Sequence, residues 1–225
     1  TWNHKDDTDK DLKKFKIIAT NPPFGKGRDL KTGANGKWDV QKETVELYET
    51  YKIKPTPTST GKITLPKSMD MGVIFLENAF KLLEDGGRMG IVLSNSIASI
   101  KEWENVRNWL IERMRIVGLF DLPANTFGET GVATTVIVAY KPRPNERKLL
   151  DNDYEVFIKE IENIGYEVKT IKRTITFQPQ FIINEDTFEH TSKLDEDFST
   201  MQSEFHEFLK RQEIEIKNAF NIDQI

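Results

Sequence analysis

Apolar positions in the first 140 residues alternate between short runs and helical stripes. The run Phe15–Thr20 is rich in β-branched and aromatic residues and stops at Asn21-Pro22-Pro23, which predicts a strand ending at residue 20. Between residues 70 and 83, apolar side chains recur at helical spacing, which predicts a helix ended by Asp85-Gly86-Gly87. The apolar positions of this helix are Val73, Ile74, Leu76, Phe80 and Leu83.

The alternation continues to residue 140. Residues 88–93 form a predicted buried strand, and a helix is predicted over residues 101–115, with Val106, Leu110 and Met114 on one face. Two further strands are predicted at 116–122 and 134–140. This order predicts an α/β fold: half of an open, mostly parallel sheet with helices packed on it.

The patterns divide the chain into three parts. Residues 1–140 form the α/β domain, which includes a polar loop at 28–65 with a helical stretch at 40–51. Residues 141–183 form a basic linker and a small β element around Gly165. Residues 184–225 form an acidic, amphipathic helical tail with an apolar stripe of Phe198, Met201, Phe205 and Phe208.

The net charge of −4 is unevenly distributed. Residues 184–225 hold 11 acidic and 4 basic residues, so the tail carries −7 and residues 1–183 carry +3. The chain is therefore not a strongly basic nucleic-acid binder. The acidic charge of the tail also argues against DNA as the surface that its apolar stripe contacts.

Composition argues against several kinds of chemistry. Cysteine is absent and the three histidines are scattered, so we expect no disulfide framework, no Cys nucleophile and no metal site. No apolar run reaches the ~18 residues that a membrane helix needs, and no signal peptide opens the chain. We expect a cytoplasmic protein without membrane contact. Because the sequence opens at Thr1, we also expect that an N-terminal part is missing from it.

Asn21-Pro22-Pro23-Phe24 follows the first predicted strand, at the end where open α/β sheets bind ligands. Two successive prolines have fixed φ angles and no N–H donors, so this segment is a stiff loop with outward carbonyls. It suits the exocyclic amine of a flat base, because Asn21 Oδ1 and the Pro22 carbonyl can each accept one N–H while Phe24 stacks on the ring. Two acceptors orient the nitrogen lone pair toward an electrophile without an ionisable base or a metal. The alternative is a proline-rich turn that only ends a strand.

Together with its surroundings, this segment resembles a known family. Residues 17–25, Ile-Ile-Ala-Thr-Asn-Pro-Pro-Phe-Gly, resemble the catalytic motif of amino-methyltransferases that use S-adenosylmethionine. The helix and strand at 75–93 and Leu-Pro-Ala-Asn-Thr-Phe at 122–127 resemble parts of N6-adenine DNA methylases. Residues 156–157 and 162–166 are similar to a piece that follows the catalytic domain in modification subunits of type I restriction systems.

The resemblance implies the C-terminal half of a Rossmann-like methyltransferase sheet, followed by a small β element and a helical tail. The chain would be the C-terminal portion of a type I modification subunit that methylates adenine N6 in double-stranded DNA. S-adenosylmethionine is the implied cofactor, a specificity subunit the implied partner, and a restriction subunit a further one. By the same resemblance, the catalytic residues are Asn21, Pro22, Pro23 and Phe24, and Asn21 also contacts the cofactor.

Other residues receive roles from the same resemblance, each beside a simpler alternative. Phe127 would help to hold the flipped base, or would only plug its loop onto the sheet. Lys26 and Arg28 would contact DNA phosphates, which position nucleic acid without reading its sequence, or would be solvated charges. The apolar stripe of the tail would dock the specificity subunit, or would cap the body of this chain.

Two features depart from the family pattern. The family's cofactor loop, an acidic or aromatic residue followed by a Gly-x-Gly turn, does not occur before Asn21, and Gly25-Lys26-Gly27 lies after the motif. Ser94-Asn95 stands where the family often has a proline. We therefore expect this chain by itself neither to bind S-adenosylmethionine tightly nor to methylate DNA. We also expect the outer edge of the strand Phe15–Thr20 to lack its neighbouring strand, so that the chain self-associates or a loop or neighbour covers that edge.

Two other functions stay open at this point. The nearest is methylation of another planar amine, such as a glutamine side chain or an RNA guanine. The other belongs to a different class, a non-catalytic assembly module that only docks partners. Titration with S-adenosylmethionine distinguishes a catalytic protein from such a module.

Overall fold

The structure is a computed structural model that describes residues 13–25, 47–53, 56–57, 63–64, 69–127, 131–151, 153–171 and 174–222. The strands in this part of the chain are β1 (Phe15–Thr20), β2 (Thr56–Pro57), β3 (Ile63–Thr64), β4 (Leu83–Ser94), β5 (Arg115–Leu122), β6 (Thr134–Tyr140), β7 (Phe157–Glu160), β8 (Tyr166–Ile171), β9 (Thr174–Pro179), β10 (Phe181–Ile183) and β11 (His190–Leu194).

The α-helices in the described ranges are α1 (Glu49–Ile53), α2 (Met71–Leu82), α3 (Asn95–Ser99), α4 (Glu104–Ile111), α5 (Phe198–Lys210) and α6 (Ile214–Ala219). Short 3₁₀ helices cover Lys101–Trp103 and Pro144–Leu150. The predicted helical stretch at 40–51 corresponds in part to α1, and its residues 40–46 lie outside the described part of the chain.

Five strands form the main sheet, in the order β1-β4-β6-β5-β7. Strand β1 is parallel to β4, and β5 is parallel to β7. Strand β6 lies between β4 and β5 and is antiparallel to both. Four strands therefore run in one direction, and the predicted α/β fold is confirmed, but the sheet is mixed and not mostly parallel, because two of its four pairings, those made by the central strand β6, are antiparallel.

Helices cover both faces of this sheet because side chains alternate along its strands. In β6, Ile137 and Ala139 join a core formed with the helices between residues 48 and 111. Val138 and Tyr140 point to the opposite face, where a second core includes residues of α5 and α6. The result is a layered domain with one sheet between two helical layers.

The boundary between α2 and β4 differs from the prediction. The helix ends at Leu82, and β4 already begins at Leu83, so Asp85-Gly86-Gly87 lies inside the strand and the prediction that it ends the helix is wrong. Gly86 has a φ of +84°, and its N–H donates to the Lys141 carbonyl at 2.7 Å. The glycines therefore shape an irregular strand beside the Arg143 guanidinium, with which a Cβ on Gly86 would clash.

The second predicted helix is shorter than expected. Its regular part is α4, which ends at Ile111, and Arg115 already belongs to β5, where it pairs with Tyr140. Arg115, the last residue of the predicted helix, is therefore part of a strand, because its backbone pairs with β6. The predicted apolar face is confirmed, since Val106, Leu110 and Met114 are all buried.

The segment predicted as a linker and a separate β element is more closely joined to the body. Leu149, in the 3₁₀ helix, is 4% exposed and belongs to the second core. Strand β7 adds to the main sheet, whereas β8 and β9 form a hairpin of their own after Gly165. The tail predicted as helical from residue 184 first contributes strand β11, which pairs with β10, before α5 begins.

Helix α5 lies against this chain's own sheet. The Phe205 ring is 5.2 Å from that of Phe120 and 5.3 Å from that of Phe157, measured between centroids. Phe208 is buried at 5% exposure, while Phe198 and Met201 are half-buried. These contacts favour the alternative in which the stripe caps the body, and docking of another subunit by this stripe stays a prediction.

Replacing Phe205 tests this packing. We expect Phe205→Asp to lower the free energy of unfolding by at least about 2 kcal/mol, because it removes an aromatic side chain and places a charge among rings. Urea denaturation measures the change. Phe188→Asp is the matched control, since Phe188 is 83% exposed and its replacement should change stability by no more than about 0.5 kcal/mol. Equal effects of the two variants would contradict the packing.

The Asp197 carboxylate ties the residues after β7 to the start of α5. Its Oδ2 accepts the backbone N–H of Glu162 and that of Asn163, each at 2.8 Å. The bond from Asn163 is the main cause that lowers the pKa of Asp197 below its ordinary value of 3.8. A lowered pKa means that the ionised carboxylate is more stable in the folded state than in the unfolded one.

The sign of this shift gives a pH prediction. The contribution of Asp197 to stability is present at pH values above 3.8 and is lost as the pH falls through the lowered pKa. Asp197→Asn keeps an amide oxygen but has no charge, so its destabilisation relative to wild type should be evident at pH 7 and shrink in acid. Unfolding curves of both proteins at several pH values test this. A difference that does not change with pH would show that the charge has no part in the interaction.

Candidate functional site

The loops that follow the four co-directional strands meet at one end of the sheet. Asn21 follows β1, Asn95 follows β4, Pro123 follows β5 and Ile161 follows β7. The connection from β5 to β6 also starts and ends at this end, because β6 runs in the opposite direction. Parallel strands in open α/β sheets gather ligand-binding loops in this way.

The four residues of the Asn-Pro-Pro-Phe segment differ in exposure. Pro22 is buried, Phe24 is half-buried, and Asn21 and Pro23 are exposed. The Asn21 amide makes no hydrogen bond to any other described residue, so both of its polar atoms are available to a ligand. The Pro22 ring fixes the φ angle of Pro22, and its burial anchors this residue in the protein. The backbone that carries the exposed Asn21 amide is therefore held rigidly at the surface.

The far end of this loop is fastened to α2. The Gly25 carbonyl accepts the Met71 N–H at 2.9 Å, and Asp70 caps the helix by accepting the Gly72 N–H at 2.8 Å. Gly25 has a φ of +104°, in the left-handed region that favours glycine. Sequence reasoning missed this anchor, although an Asp immediately before a helical stripe is an N-cap signal that could have indicated it.

Two aromatic rings lie side by side at this end of the sheet. The ring centroids of Phe24 and Phe127 are 5.8 Å apart, with their planes tilted by 55°. Phe127 belongs to the turn after β5 in which Asn125 has a φ of +71°, a conformation that Asn tolerates better than most residues. The structure thus brings together two residues that the sequence separates by about a hundred positions.

Tyr166 is a further residue at this site, to which the sequence gave no role of its own beyond a place in the resemblance. Its hydroxyl donates to the Thr126 carbonyl at 2.5 Å. Asp121, at the end of β5, accepts a hydrogen bond of 2.6 Å from the Thr135 hydroxyl. Its carboxylate is therefore engaged within the sheet.

The remaining predicted residues fall elsewhere. Lys26 and Arg28 lie outside the described residues, and Phe198, Met201, Phe205 and Phe208 lie on α5, as given above. In the described ranges, no group of His, Asp and Glu side chains is arranged to hold a metal ion. Nor does any helix described here have the length and apolar character needed to cross a membrane.

The sequence matches the family model described as N-6 DNA Methylase over residues 2–223. It is 25% identical, over 155 residues and 69% of its length, to a protein of Methanocaldococcus jannaschii described as a type II restriction enzyme and methyltransferase. Among solved structures it is similar to the type I restriction-modification methyltransferase subunit of Streptococcus thermophilus, with 24% identity, a TM-score of 0.41 and coverage of 60% of this chain and 25% of that one. It is also similar to a class I S-adenosylmethionine-dependent methyltransferase of Listeria monocytogenes, with 12% identity, a TM-score of 0.47 and coverage of 66% and 37%.

The chain spans 11% of the length of the curated relative. The family assignment does not depend on that relative or on the solved structures, because the family model covers nearly every residue, including the Asn21–Phe24 loop and the turn with Phe127. This chain belongs to the N-6 DNA methylase family.

Proposed function

We propose that this chain provides the target-base side of an S-adenosylmethionine-dependent DNA methyltransferase that methylates the N6 amine of adenine. One observation carries the proposal. A proline-stiffened Asn-Pro-Pro-Phe loop, in a member of the N-6 DNA methylase family, exposes an amide that is hydrogen-bonded to no other described residue. The same loop carries Phe24, whose ring lies against that of Phe127 at the end of the sheet where the strand loops gather. This arrangement matches a flat base that carries an exocyclic amine.

In the proposed complex, the chain holds the amine by two acceptors. Asn21 Oδ1 accepts one N–H and the Pro22 carbonyl accepts the other, which draws the nitrogen away from conjugation with the ring and directs its lone pair outward. Phe24 stacks on the base, with Phe127 beside it. Because an adenine inside a duplex is paired and stacked, it has to leave the helix to reach this loop.

S-adenosylmethionine would supply an electrophilic methyl group. The exposed Asn21 amide fits a position between this group and the base, since it offers a donor as well as an acceptor. The sequence before Asn21 contains no acidic or aromatic residue followed by a Gly-x-Gly turn. We therefore propose that the other cofactor contacts come from a segment outside these 225 residues.

The proposed partners are those implied by the resemblance to modification subunits of type I restriction systems. Double-stranded DNA is the substrate, a specificity subunit supplies most of the sequence recognition, and a restriction subunit is a further partner of the complex. Lys26 and Arg28 are proposed to contact DNA phosphates near the loop. Contact with the specificity subunit would use the apolar stripe of α5 where it stays accessible, at the half-buried side chains of Phe198 and Met201.

Asn21→Ala tests the proposed catalytic role. In the methylation-competent protein that carries this sequence, we expect the loss of methylation with the free energy of unfolding unchanged, because Asn21 is exposed and its amide is free of described partners. The assay measures transfer of a radioactive methyl group to unmethylated plasmid DNA, followed by nucleoside analysis. N6-methyladenine is the expected product.

Asn108→Ala serves as the matched control, since it removes an exposed amide from the surface of α4. Its activity should equal that of wild type. Activity of Asn21→Ala within about threefold of wild type, a difference of less than ~1.4 kcal/mol in activation free energy, would contradict the role of Asn21. N4-methylcytosine as the product would overturn the choice of adenine. Methyl transfer to RNA or to a glutamine side chain in parallel reactions, without transfer to the plasmid, would overturn the choice of DNA.

A second pair of variants tests stacking on the target base. Phe24→Tyr keeps a ring of similar shape and should keep activity. Phe24→Ala should lose roughly 1–3 kcal/mol of base-stacking energy, which appears as a rise in the KM for DNA together with a fall in kcat/KM. Steady-state kinetics on the same DNA measure both variants. Equal activity of the tyrosine and alanine variants would show that the ring does not stack on the base.

A further inference from the structure

Tyr166 connects the hairpin after the main sheet to the aromatic pair at the candidate site. It is the first residue of β8, and its hydroxyl donates to the carbonyl of Thr126, 40 residues earlier in the sequence. Thr126 immediately precedes Phe127, whose ring lies 5.8 Å from that of Phe24. The carbonyl that accepts the Tyr166 hydrogen bond therefore belongs to the peptide unit that joins Thr126 to Phe127, the residue proposed to hold the target base.

The turn that carries Phe127 has few other restraints. Within the described residues, its hydrogen bonds from Thr126 both go to the Pro123 carbonyl, one from the backbone N–H at 3.3 Å and one from the hydroxyl at 2.7 Å. Both bonds are internal to the turn. Asn125 has a positive φ angle, which is costly for a residue other than glycine. The bond from Tyr166 is thus the described hydrogen bond that ties this turn to another element.

The segment that delivers Tyr166 is itself firmly held. Ile161 is 1% exposed, and its N–H donates to the Asp121 carbonyl at 2.9 Å. The next two backbone N–H groups donate to the Asp197 carboxylate. Gly165 has a φ of +82° and accepts a hydrogen bond from the Gln180 N–H at 2.9 Å. Tyr166 therefore extends from a well-anchored segment toward a turn whose other described hydrogen bonds from Thr126 are internal.

The ring and the hydroxyl of Tyr166 have separable roles. The ring packs edge-on against Phe177, with centroids 5.4 Å apart and planes at 75°, and a phenylalanine would keep this contact. The hydroxyl alone reaches Thr126. A purely structural tyrosine in the hairpin would need only the ring, whereas the hydroxyl is the group hydrogen-bonded to the Phe127 turn.

We propose that Tyr166 is a positioning residue, which holds the Phe127 turn so that Phe127 and Phe24 are pre-arranged to receive the flipped base. This inference rests on the proposed function, because it assigns Tyr166 a part in the same base-binding site. Pre-arrangement matters because ordering the turn only on base binding would subtract from the binding energy. Tyr166 acts through Phe127 and does not touch the base.

Tyr166→Phe in the methylation-competent protein tests the proposal. We expect kcat/KM for DNA to fall by about threefold to tenfold, the range that loss of one hydrogen bond gives, chiefly through a higher KM. The emission of 2-aminopurine placed at the target position should fall in parallel, because fewer bases are held outside the duplex. The free energy of unfolding should stay within about 0.5 kcal/mol of wild type.

A double-mutant cycle with Phe127→Ala identifies the route of the effect. If Tyr166 acts through Phe127, adding Tyr166→Phe to Phe127→Ala causes no further loss of kcat/KM. Additive losses would overturn the proposal, as would unchanged kinetics of Tyr166→Phe. Tyr48→Phe is the matched control, because it removes a hydroxyl hydrogen bond of 2.9 Å to Asn78 in α2 and should leave the kinetics unchanged.

The same set of variants separates this inference from the proposed function. If Asn21→Ala is inactive while Tyr166→Phe behaves as wild type, the site stands and only the positioning role of Tyr166 fails. If Asn21→Ala also retains wild-type methylation, the proposed function itself fails. Loss of stability in Tyr166→Phe comparable to its loss of activity would show that the hydroxyl serves the fold instead, and would likewise overturn the positioning role.

Discussion

The main sheet depends on the two-sided pairing of strand β6. Each of its residues from Thr134 to Tyr140 is paired with β4 on one side and β5 on the other. Its side chains alternate between the two faces of the sheet, so β6 contributes to both cores and both helical layers pack on it. Because β6 is antiparallel to its neighbours, β4 and β5 can run in the same direction without a helical crossover between β5 and β6.

This constraint also determines the geometry of the site. An antiparallel return from β5 to β6 needs a turn at the carboxyl end of β5, and Phe127 lies in that connection. The parallel pairing of β1 with β4, from Ile17 opposite Arg88 to Thr20 opposite Ile91, brings the Asn21 loop to the same end. Two connections on opposite sides of β6 therefore supply the aromatic pair. Strand β1 lies at the edge of the described sheet, with Phe15 42% and Ile17 55% exposed.

Much of the fold was accessible to sequence reasoning because hydrophobic periodicity reflects local geometry. The strand Phe15–Thr20 and the strand 134–140 match β1 and β6 residue for residue, and the buried face of α4 was correctly assigned. The errors have a common cause. Arg115 and β7 each depend on pairing with a distant strand, and Gly86 is held by a hydrogen bond to Lys141; local propensity contains no information about such partners. The apolar stripe of α5 likewise indicated that this face of the helix would be buried. It did not indicate that the covering surface is the sheet of the same chain.

The sequence by itself determined the class of fold, the stiff Asn21–Phe24 loop at a strand end and the resemblance that led to the family, because these follow from local composition and order. Only the tertiary structure decided which residues surround that loop. The contact of Phe24 with Phe127, the bond from Met71 to Gly25 and the bond from Tyr166 to Thr126 join segments that are tens of residues apart. Such contacts arise from strand order and direction, which bring distant loops to one end of a sheet and leave no trace in local periodicity.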